Sequence, residues 1–332
     1  MVKDSRCEGR VVIVTGAGAG LGRAYALHLA SLGWRVVVNN RNRSSSADAV
    51  VAEIRASGGE AVAQYDDVCS EGAGARMLQT ALDTWGRLDA LVNNAGVDQH
   101  APFHKISLED FRRIFAINFE GTVAVTHAIY PHLRAQGAGR IVVSVSSAGL
   151  HGLHGLSAYA ASKAALIAFM RSLAAEAAPK GVLVSAIAPY AATRMTDAHL
   201  NDELRERMSV ASVAPFLAGL IHPDATSHGQ TWVVGAGWAR RASSVECGEG
   251  HAVPAASTPV TTPAGGVASS PPREFPDALA AHADFLVCAQ QGLRLQGPEG
   301  FGRVARLQTL QRLHMARQLG AQVTDRVDGV AL

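Results

Sequence analysis

Three polar side chains in the sequence are spaced for proton transfer. Tyr159 and Lys163 stand four residues apart, so on a helix both project from one face. A phenol titrates near ~10, and a neighbouring ammonium would stabilise the phenolate and lower that pKa. Ser146, thirteen residues before Tyr159, would hold a substrate oxygen and stabilise the charge developing on it. Ser144 and Ser147 are nearby alternatives to Ser146. A tyrosine and a lysine at this spacing are also common on solvated helices, so the prediction depends on the motifs around them.

A glycine-rich loop near the N-terminus has the features of a phosphate-binding turn. The apolar run Val11–Thr15 leads into Gly16-Ala17-Gly18-Ala19-Gly20-Leu21-Gly22, and the helical run Arg23–Ser31 follows. Glycines let the backbone approach a pyrophosphate, and a helix N-terminus offers free N–H groups. We predict that this loop binds a dinucleotide through Gly16, Gly18, Gly20, Leu21 and Gly22. The alternative is an ordinary tight turn. A P-loop is not expected, because no Gly-Lys-Ser/Thr follows.

The end of the second predicted strand lacks a carboxylate. An acidic residue there would bond the adenosine ribose hydroxyls and favour NAD. The chain instead reads Asn39-Asn40-Arg41-Asn42-Arg43-Ser44. Arg41 and Arg43 would pair with the 2′-phosphate of NADP. We therefore predict NADP, with Asn40 and Arg41 at its adenosine end. NAD is the alternative, in which case the two arginines belong to a solvated loop.

The elements that must position these groups alternate between strand and helix. Continuous apolar runs are typical of strands buried on both faces of a parallel sheet. The predicted strands are Val11–Thr15, Arg35–Asn39, Ala61–Tyr65, Ala90–Asn93, Arg140–Val145, Val182–Ala188 and Thr231–Val234. The helical stretches between them include Ser46–Ser57, Gly72–Trp85, Leu108–Gln136 and Ser157–Ala178. This alternation predicts an α/β fold, a doubly wound, Rossmann-like parallel sheet.

The glycine spacing, taken with further motifs, resembles the short-chain dehydrogenase/reductase family. These motifs follow in that family's order: Asp67-Val68, Asn93-Asn94-Ala95-Gly96, Asn118, Ser146, Tyr159 with Lys163, and Pro189 followed by Thr193. The resemblance covers about Gly9 to Arg240. It implies an oxidoreductase that transfers a hydride between a nicotinamide cofactor and a secondary alcohol or ketone.

The resemblance also assigns roles to individual residues. Asp67 and Val68 would cradle the adenine, and Asn94, Ala95 and Gly96 would line the floor beneath it. Asn93 would either contact the cofactor or serve only as a cap at the strand end. Thr193 would bond the carboxamide, with Pro189 shaping its loop. Lys163 would bond the nicotinamide ribose, close to Tyr159, and Asn118 would support a water linking Lys163 to solvent.

Some segments look especially like the D-specific hydroxyacyl-CoA dehydrogenase part of the multifunctional β-oxidation enzyme and its bacterial relatives. They are Ala61 to Asp66, Ala188 to Thr196 and Val233 to Trp238. That group usually has an acidic residue where Asn40 stands, and often a histidine where Asn118 stands. The resemblance therefore supports the scaffold and the chemistry more than an acyl-CoA substrate.

The sequence gives fewer indications of the residues that bind the substrate than of those that bind the cofactor. His151, His154 and Tyr190 border the predicted site and are candidate pocket residues, although surface histidines are equally expected. No third ligand with suitable spacing accompanies His151 and His154, so no metal is predicted. The predicted lid, Thr196–Pro223, carries Met208 and Phe216 among its apolar residues, most of which we expect to serve helix packing.

Composition narrows the class of protein. The chain has 332 residues, 48% hydrophobic and 17% charged, with a net charge of +2, which is typical of a globular protein and gives no basic field for nucleic acid. Its four cysteines form no CxxC pair. No signal peptide and no apolar run of about 20 residues is visible. We expect a cytoplasmic protein without membrane or nucleic-acid partners.

The organisation of the chain is predicted in three parts. Residues 1–241 form the dehydrogenase domain, residues 242–272 a linker rich in Ala, Ser and Pro, and residues 273–332 a helical extension. Relatives pair through two long helices, so a homodimer or homotetramer is expected. Alternative functions are a nucleotide-binding sensor without turnover, a hydroxyacyl-CoA-specific dehydrogenase, and a dehydratase or epimerase.

Overall fold

Apolar runs of the sequence form most strands of one eight-stranded sheet, and the exposed segment Trp238–Ala242 forms its last strand. The computed structural model describes residues 4–41, 45–192, 208–246 and 273–274. The strands of the large sheet are β1 (Val11–Val14), β2 (Arg35–Asn39), β3 (Glu60–Gln64), β4 (Ala90–Asn93), β5 (Gly139–Ser144), β6 (Val182–Tyr190), β7 (Thr231–Gly235) and β8 (Trp238–Ala242). Every residue of β1 and β4 is buried, as continuous apolar strands covered on both faces require.

The sheet confirms the predicted doubly wound fold. Its order is β3-β2-β1-β4-β5-β6-β7-β8, and the first seven strands are parallel while β8 runs antiparallel to β7. The order reverses between β1 and β4, which is where such sheets open a crevice. Strand β8 was not predicted. Positive φ angles at Ala236 (50°) and Gly237 (79°) give the tight hairpin turn that returns the chain along β7.

Helices cover both faces of the sheet. They are α1 (Gly20–Ser31), α2 (Ser45–Ala56), α3 (Ala73–Trp85), α4 (Leu108–Phe115), α5 (Gly121–Gln136), α6 (Ser147–His151), α7 (Ser157–Ala177) and α8 (Ala214–Ile221). One buried cluster joins α1, α2 and α8 to one side of the sheet. The other joins α3, α5 and α7 to the opposite side. In the second cluster Ile129 and Leu166 are almost wholly buried, which fixes α5 and α7 beside the strands that lead into the site.

The predicted helix Leu108–Gln136 is not one regular helix. A π-helical turn, Ala116–Glu120, separates α4 from α5. Such turns insert an extra residue into the helical ladder and often occur at functional sites. Here the turn carries Asn118, which is fully buried. The segment between Ser146 and Tyr159 also differs from the predicted loop, since α6 occupies its first part.

The chain divides into two compact units, Met1–Ser243 and Ser244–Leu332. Ala242, the first residue of the predicted linker, ends β8 in the first unit. In the second unit β9 (Val245–Glu246) pairs antiparallel with β10 (Arg273–Glu274). The predicted helices of the extension lie outside the described residues. Within the described ranges, none of the helices has the length and hydropathy of a bilayer-spanning segment.

Candidate active site

A cleft of about 420 Å³ opens at the carboxyl ends of the parallel strands. It lies at the point where the strand order reverses, where α/β sheets bind ligands. Its walls come from the loops after β1 through β6 and from α7. Lining residues include Gly16, Gly20, Leu21, Asn40, Arg41, Asp67, Val68, Asn94, Ala95, Gly96, Tyr159, Lys163 and Pro189. Most of the predicted cofactor-binding residues therefore meet in one cavity.

The glycine loop is built for close contact with a phosphate. Gly16 and Gly20 have φ angles of 63° and 55°, which side chains larger than hydrogen rarely adopt. A Cβ at Gly16 would lie 2.9 Å from the Cα of Ala95. Helix α1 begins at Gly20, with no side-chain cap from Ala19 and no acidic residue in its first turn. Its first N–H groups are therefore free to bind the pyrophosphate of a dinucleotide.

The loop after β4 is tied directly to the glycine loop. The Nδ2 of Asn94 donates to the carbonyl oxygens of Thr15 (3.1 Å) and Gly16 (3.3 Å). The backbone N–H groups of Asn94 and Ala95 each donate to Thr15 Oγ1 at 3.0 Å. Asn93 instead points into the protein, where its Nδ2 donates to Thr126 Oγ1 (2.9 Å). The structure thus gives Asn93 the role of a strand-end cap, one of its two predicted roles.

The adenosine end of the cleft has a polar floor, and the exposed cation of Arg41 lies beside it. The buried Asn39 donates from Nδ2 to Gln64 Oε1 (2.6 Å), and Asn40 donates to Ser46 Oγ (2.7 Å). Arg41 is exposed, and its guanidinium lies 3.9 Å from a carboxylate oxygen of Asp67. The other oxygen of Asp67 accepts from the backbone N–H of Cys69 (2.9 Å). Arg43 lies outside the described residues.

Helix α7 brings the predicted proton-transfer residues together. Lys163 is 4% exposed, its Nζ donates to the carbonyl oxygen of Ser144 (2.8 Å), and it lies 5.7 Å from the ring centroid of Tyr159. Ser146 caps the N-terminus of α6, where its Oγ accepts from the N–H of Ala148 (3.1 Å), and it also hydrogen-bonds the Tyr159 hydroxyl. Ser146 and the buried ammonium of Lys163 therefore both lie near the side chain of Tyr159.

Burial governs the protonation of this pair. Burial raises the pKa of Tyr159, the hydrogen bond to Ser146 lowers it, and the negative charge of Asp98 raises it further. The expected lowering of the pKa by Lys163 is thus not found in the chain itself. Burial also lowers the pKa of Lys163 to about 8, and Lys163 binds Ser144 O rather than the phenol. Desolvation is the largest cause of the pKa shift at both groups.

Asn118 joins three parts of the site. Its Oδ1 accepts from the N–H of Val97 (2.8 Å), and its Nδ2 donates to the carbonyl of Val97 (2.9 Å) and to Ser162 Oγ (3.0 Å). A Cβ at Gly96 would lie 3.2 Å from Asn118 Oδ1 and 3.5 Å from Lys163 Nζ. The absence of a side chain at Gly96 therefore leaves room between Asn118 and Lys163. The predicted water beside Asn118 stays a prediction.

The residues predicted to bind the substrate lie outside the lining of the cleft. His151 and His154 are exposed, and Tyr190 is 40% exposed at the end of β6. None of the three belongs to the cleft lining, and their role in substrate binding stays a prediction. Thr193 and the first part of the predicted lid, residues 196–207, lie outside the described residues. Phe216 of α8 packs against Trp232 of β7, with the rings tilted and their centroids 5.3 Å apart, so it serves the packing of the helix on the sheet.

Sequence reasoning missed two residues that act on the site from outside the cleft lining. Asp98 was overlooked although it follows the Asn-Asn-Ala-Gly motif by two positions, which was the available signal. Gly149 was overlooked because nothing local marks it: a Cβ there would lie 2.8 Å from the backbone N of Ala164 and 2.8 Å from the carbonyl carbon of Lys163. This close approach sets the distance between α6 and α7, and hence between Ser146 and Tyr159.

One group of potential metal ligands lies away from the cleft in the described part of the chain. Ligand atoms of Asp4, Cys7 and His222 lie within 4.8 Å of one another. However, Asp4 already accepts three hydrogen bonds from Arg6. The Nδ1 of His222 accepts from the N–H of Asp224 (3.1 Å), and its Nε2 is 3.1 Å from Asp4. An Nδ1 that accepts places the imidazole proton on Nε2, so these contacts fit a hydrogen-bonded clamp better than a metal site.

The residues present fit a nicotinamide dinucleotide. The tight turn at Gly16 and the uncapped, positive end of the α1 dipole suit a pyrophosphate. The space left at Gly96, next to Lys163, suits a ribose. Comparison with known proteins agrees with this geometry. The family described as short chain dehydrogenase matches residues 10–205, more than half of the chain.

Individual relatives support the same assignment. The chain is 41% identical to a short-chain type dehydrogenase/reductase of Mycobacterium tuberculosis over 242 residues, which is 70% of this chain and 85% of that protein. It is 42% identical over 246 residues to the peroxisomal multifunctional enzyme type 2 of mouse, covering 72% of this chain. The match spans only 33% of the mouse protein.

A solved structure, an NAD⁺-bound xylitol dehydrogenase, superposes with a TM-score of 0.64 at 28% identity and covers 70% of this chain and 99% of that one. Family members act on small molecules with a nicotinamide cofactor. The chain therefore belongs to the short-chain dehydrogenase/reductase family of oxidoreductases, which act on CH–OH and C=O groups.

Proposed function

We propose that the chain interconverts a ketone and a secondary alcohol, with Tyr159 as the general acid and base. The observation that carries the proposal is the convergence of Ser146, Tyr159 and the buried Lys163 at the end of the cofactor cleft. A phenol held by a serine hydroxyl beside a buried ammonium can release and regain a proton at one fixed position.

Each residue has a distinct task in this mechanism. The bound cofactor supplies or accepts the hydride. Ser146 donates a hydrogen bond to the substrate oxygen and offsets the negative charge that grows on it. Tyr159 gives its proton to that oxygen during reduction and removes it during oxidation. Lys163, held by the carbonyl of Ser144, orients the ribose of the cofactor.

The test is Tyr159→Phe with Tyr130→Phe as its control. Loss of a general acid typically costs about 10²–10⁴ in rate, so we expect kcat to fall by at least 100-fold while cofactor binding persists. Tyr130 lies on α5 outside the cleft, and its variant should keep wild-type turnover. Binding of cofactor with no turnover by the wild type across a broad ketone panel would favour the sensor alternative.

NADP is the proposed cofactor, with NAD as the alternative. Support comes from Arg41, an exposed cation at the adenosine end of the cleft, and from the amides of Asn39 and Asn40 where a carboxylate would favour NAD. Arg41 also faces Asp67, which competes with a phosphate for it. The xylitol dehydrogenase binds NAD⁺ on the same fold, so the fold alone does not determine this choice.

The variant Arg41→Asp tests the cofactor preference. A charged hydrogen bond contributes about 1.5–3 kcal/mol, so the ratio of kcat/KM for NADP to that for NAD should fall at least tenfold. Lys180→Asp makes the same change of charge at an exposed position far from the cleft and should leave the ratio unchanged. An equal ratio in both variants and the wild type would refute the role of Arg41.

A second candidate is a dehydrogenase specific for hydroxyacyl-CoA. It is favoured by the 42% identity to the mouse multifunctional enzyme. Steady-state rates with a 3-oxoacyl-CoA and a simple ketone distinguish the two candidates.

We also propose a homodimer or homotetramer that pairs through α5 and α7, which both pack on the same face of the sheet. Cytoplasmic location stays part of the proposal, although the mouse relative is peroxisomal. Mass in solution and cell fractionation test these two points.

A further inference from the structure

Ser162 links the helix that carries the proton-transfer residues to the π turn. It is fully buried in α7, between Tyr159 and Lys163 in the chain. Its hydroxyl donates to the carbonyl oxygen of Tyr159 (2.7 Å) and accepts from Nδ2 of Asn118 (3.0 Å). A serine hydroxyl that bonds an earlier carbonyl of its own helix is common, whereas the second bond joins α7 to another element. Because a hydroxyl has one proton, donation to Tyr159 leaves a lone pair for Asn118.

Ser162 takes up one of the two amide donors of Asn118. The Nδ2 of Asn118 has two N–H groups, and its partners are the carbonyl of Val97 (2.9 Å) and Ser162 Oγ (3.0 Å). The Oδ1 of Asn118 accepts from the N–H of Val97 (2.8 Å). Asn118 is fully buried, so an N–H that lost Ser162 would be withdrawn from water without a partner, which is unfavourable. Ser162 therefore stabilises the orientation of the amide that binds both backbone groups of Val97.

The hydrogen bonds of Asn118 and Ser162 connect two parts of the cleft wall. Val97, from the loop after β4, and Tyr159, from α7, both line the cleft. Asn118 and Ser162 are fully buried and do not belong to that lining. They therefore join the loop on which the cofactor is expected to lie to the helix that holds the phenol, without facing the cavity themselves.

The start of α7 lacks other anchors from side chains. The helix begins at Ser157 with no side-chain cap from Leu156. The hydroxyl of Ser157 is buried and has no hydrogen-bond partner among the described residues. Helix ends fray where their terminal groups are not bonded, and Tyr159 lies in this first turn. The bond from Asn118 to Ser162 therefore anchors the part of the helix that carries Tyr159.

We propose that Ser162 is a positioning residue that, through Asn118, fixes the cofactor side of the cleft at Val97 relative to Tyr159. The proposal rests on the proposed function, in which the hydride of the cofactor and the proton of Tyr159 must reach one C–O group. Loss of the Ser162 hydroxyl lets the two sides of the cleft shift relative to one another. Such a shift lowers the rate of the reaction without removing a group that binds the cofactor.

The first test compares Ser162→Ala with Ser185→Ala. Ser185 is a matched control because it is 2% exposed, its hydroxyl is bonded to both the carbonyl and the hydroxyl of Ser227, and it lies on β6 outside the cleft lining. Misplacement by about 1 Å costs up to about 100-fold in rate. We therefore expect kcat of Ser162→Ala on a ketone to fall about 10- to 100-fold, with the dissociation constant of the cofactor within about threefold of the wild-type value. Ser185→Ala should keep wild-type kcat, and a wild-type kcat in Ser162→Ala overturns the proposal.

A double-mutant cycle shows whether Ser162 acts through Asn118. If it does, Asn118→Ala already removes the link, and adding Ser162→Ala should lower kcat further by less than about twofold. Independent effects would instead multiply, and that result overturns the proposal. Ser162→Cys keeps a weaker donor and acceptor at the same atom. It should lose less kcat than Ser162→Ala, again with no added loss in the Asn118→Ala background, and it replaces the alanine variant if that variant does not fold.

An absence of wild-type turnover on ketones and secondary alcohols would mark failure of the proposed function rather than of this link. Hydrogen exchange at the N–H of Val97 in the full chain, measured by NMR, then decides, because that N–H is bonded to Asn118. Exchange that is at least about tenfold faster in Ser162→Ala but unchanged in Ser185→Ala supports the positioning role. Equal protection of the Val97 N–H in Ser162→Ala and the wild type overturns it.

Discussion

The buried position of Lys163, which the proposed function requires, lowers the free energy of unfolding. Its side chain is almost fully buried, and burial lowers its pKa from the ordinary 10.5 to about 8. At neutral pH the folded chain therefore holds an ammonium that would be more stable in water. The difference corresponds to about 3 kcal/mol, and the hydrogen bond from Lys163 to the carbonyl of Ser144 compensates for part of the lost hydration.

We therefore predict that Lys163→Met is inactive but more stable than the wild type. The free energy of unfolding at pH 7 should rise by about 1–3 kcal/mol, because methionine fills the space without a buried charge. Denaturant unfolding measures the change. Lys180→Met, at an exposed position, is the control and should change stability by less than about 0.5 kcal/mol.

The pH dependence of this gain has a definite sign. Because the pKa of Lys163 is lower in the folded chain, the unfolded chain binds more protons between pH 8 and 10.5. Wild-type stability from this group rises with pH through that window, so the advantage of Lys163→Met should shrink there. A gap that stays constant from pH 7 to 10.5 would contradict the assignment.

At the level of elements, the contact of α6 with α7 determines the distance between Ser146 and Tyr159. Gly149 allows this contact, since a Cβ there would meet the backbone of Lys163 and Ala164 at 2.8 Å. The backbone atoms of α7 cannot move aside as a flexible side chain can, because they are held by the hydrogen bonds of a long helix. A substitution at Gly149 must therefore displace α6.

We expect Gly149→Ala to lower kcat about 10- to 100-fold, because misplacement of a catalytic group by about 1 Å has such an effect. Stability should fall by about 1–3 kcal/mol. Gly219→Ala is the matched control, because a Cβ at Gly219 in α8 meets nothing within 4 Å and alanine favours helix. Wild-type kcat in Gly149→Ala would show that α6 does not position Ser146.

The helix prediction illustrates what local pattern does and does not determine. The periodicity of Leu108–Gln136 predicts helix correctly in type, but the π turn at Asn118 was missed. A π turn adds one residue to a single turn of the helix, and the apolar residues on either side of it still have helical spacing. The contacts of Asn118 with Val97 and Ser162, which accompany the turn, join residues distant in sequence.

At the scale of the whole molecule, the first unit contains the complete described lining of the cleft, from Gly16 to Pro189. We therefore predict that deleting residues 244–332 leaves the dissociation constant of the cofactor within about threefold of that of the full chain. Fluorescence titration of the reduced cofactor measures this.

The full chain, and a thermal unfolding curve of the truncated one, are the controls for that deletion. A large loss of cofactor affinity in a truncated chain that still unfolds cooperatively would mean that the second unit contributes to the site. Mass in solution of both chains shows whether residues 244–332 affect assembly.

The sequence by itself determined the order of strands and helices, the burial of the parallel sheet, the glycine loop and the shared helical face of Tyr159 and Lys163. These features depend on residue types and on spacings of a few residues, which the chain carries locally. Only the tertiary structure decided the direction of the Tyr159 pKa shift, the through-space effect of Asp98 on it, and the contact at Gly149. Desolvation, through-space charge and close packing depend on distances between residues far apart in the chain, and only folding sets those distances.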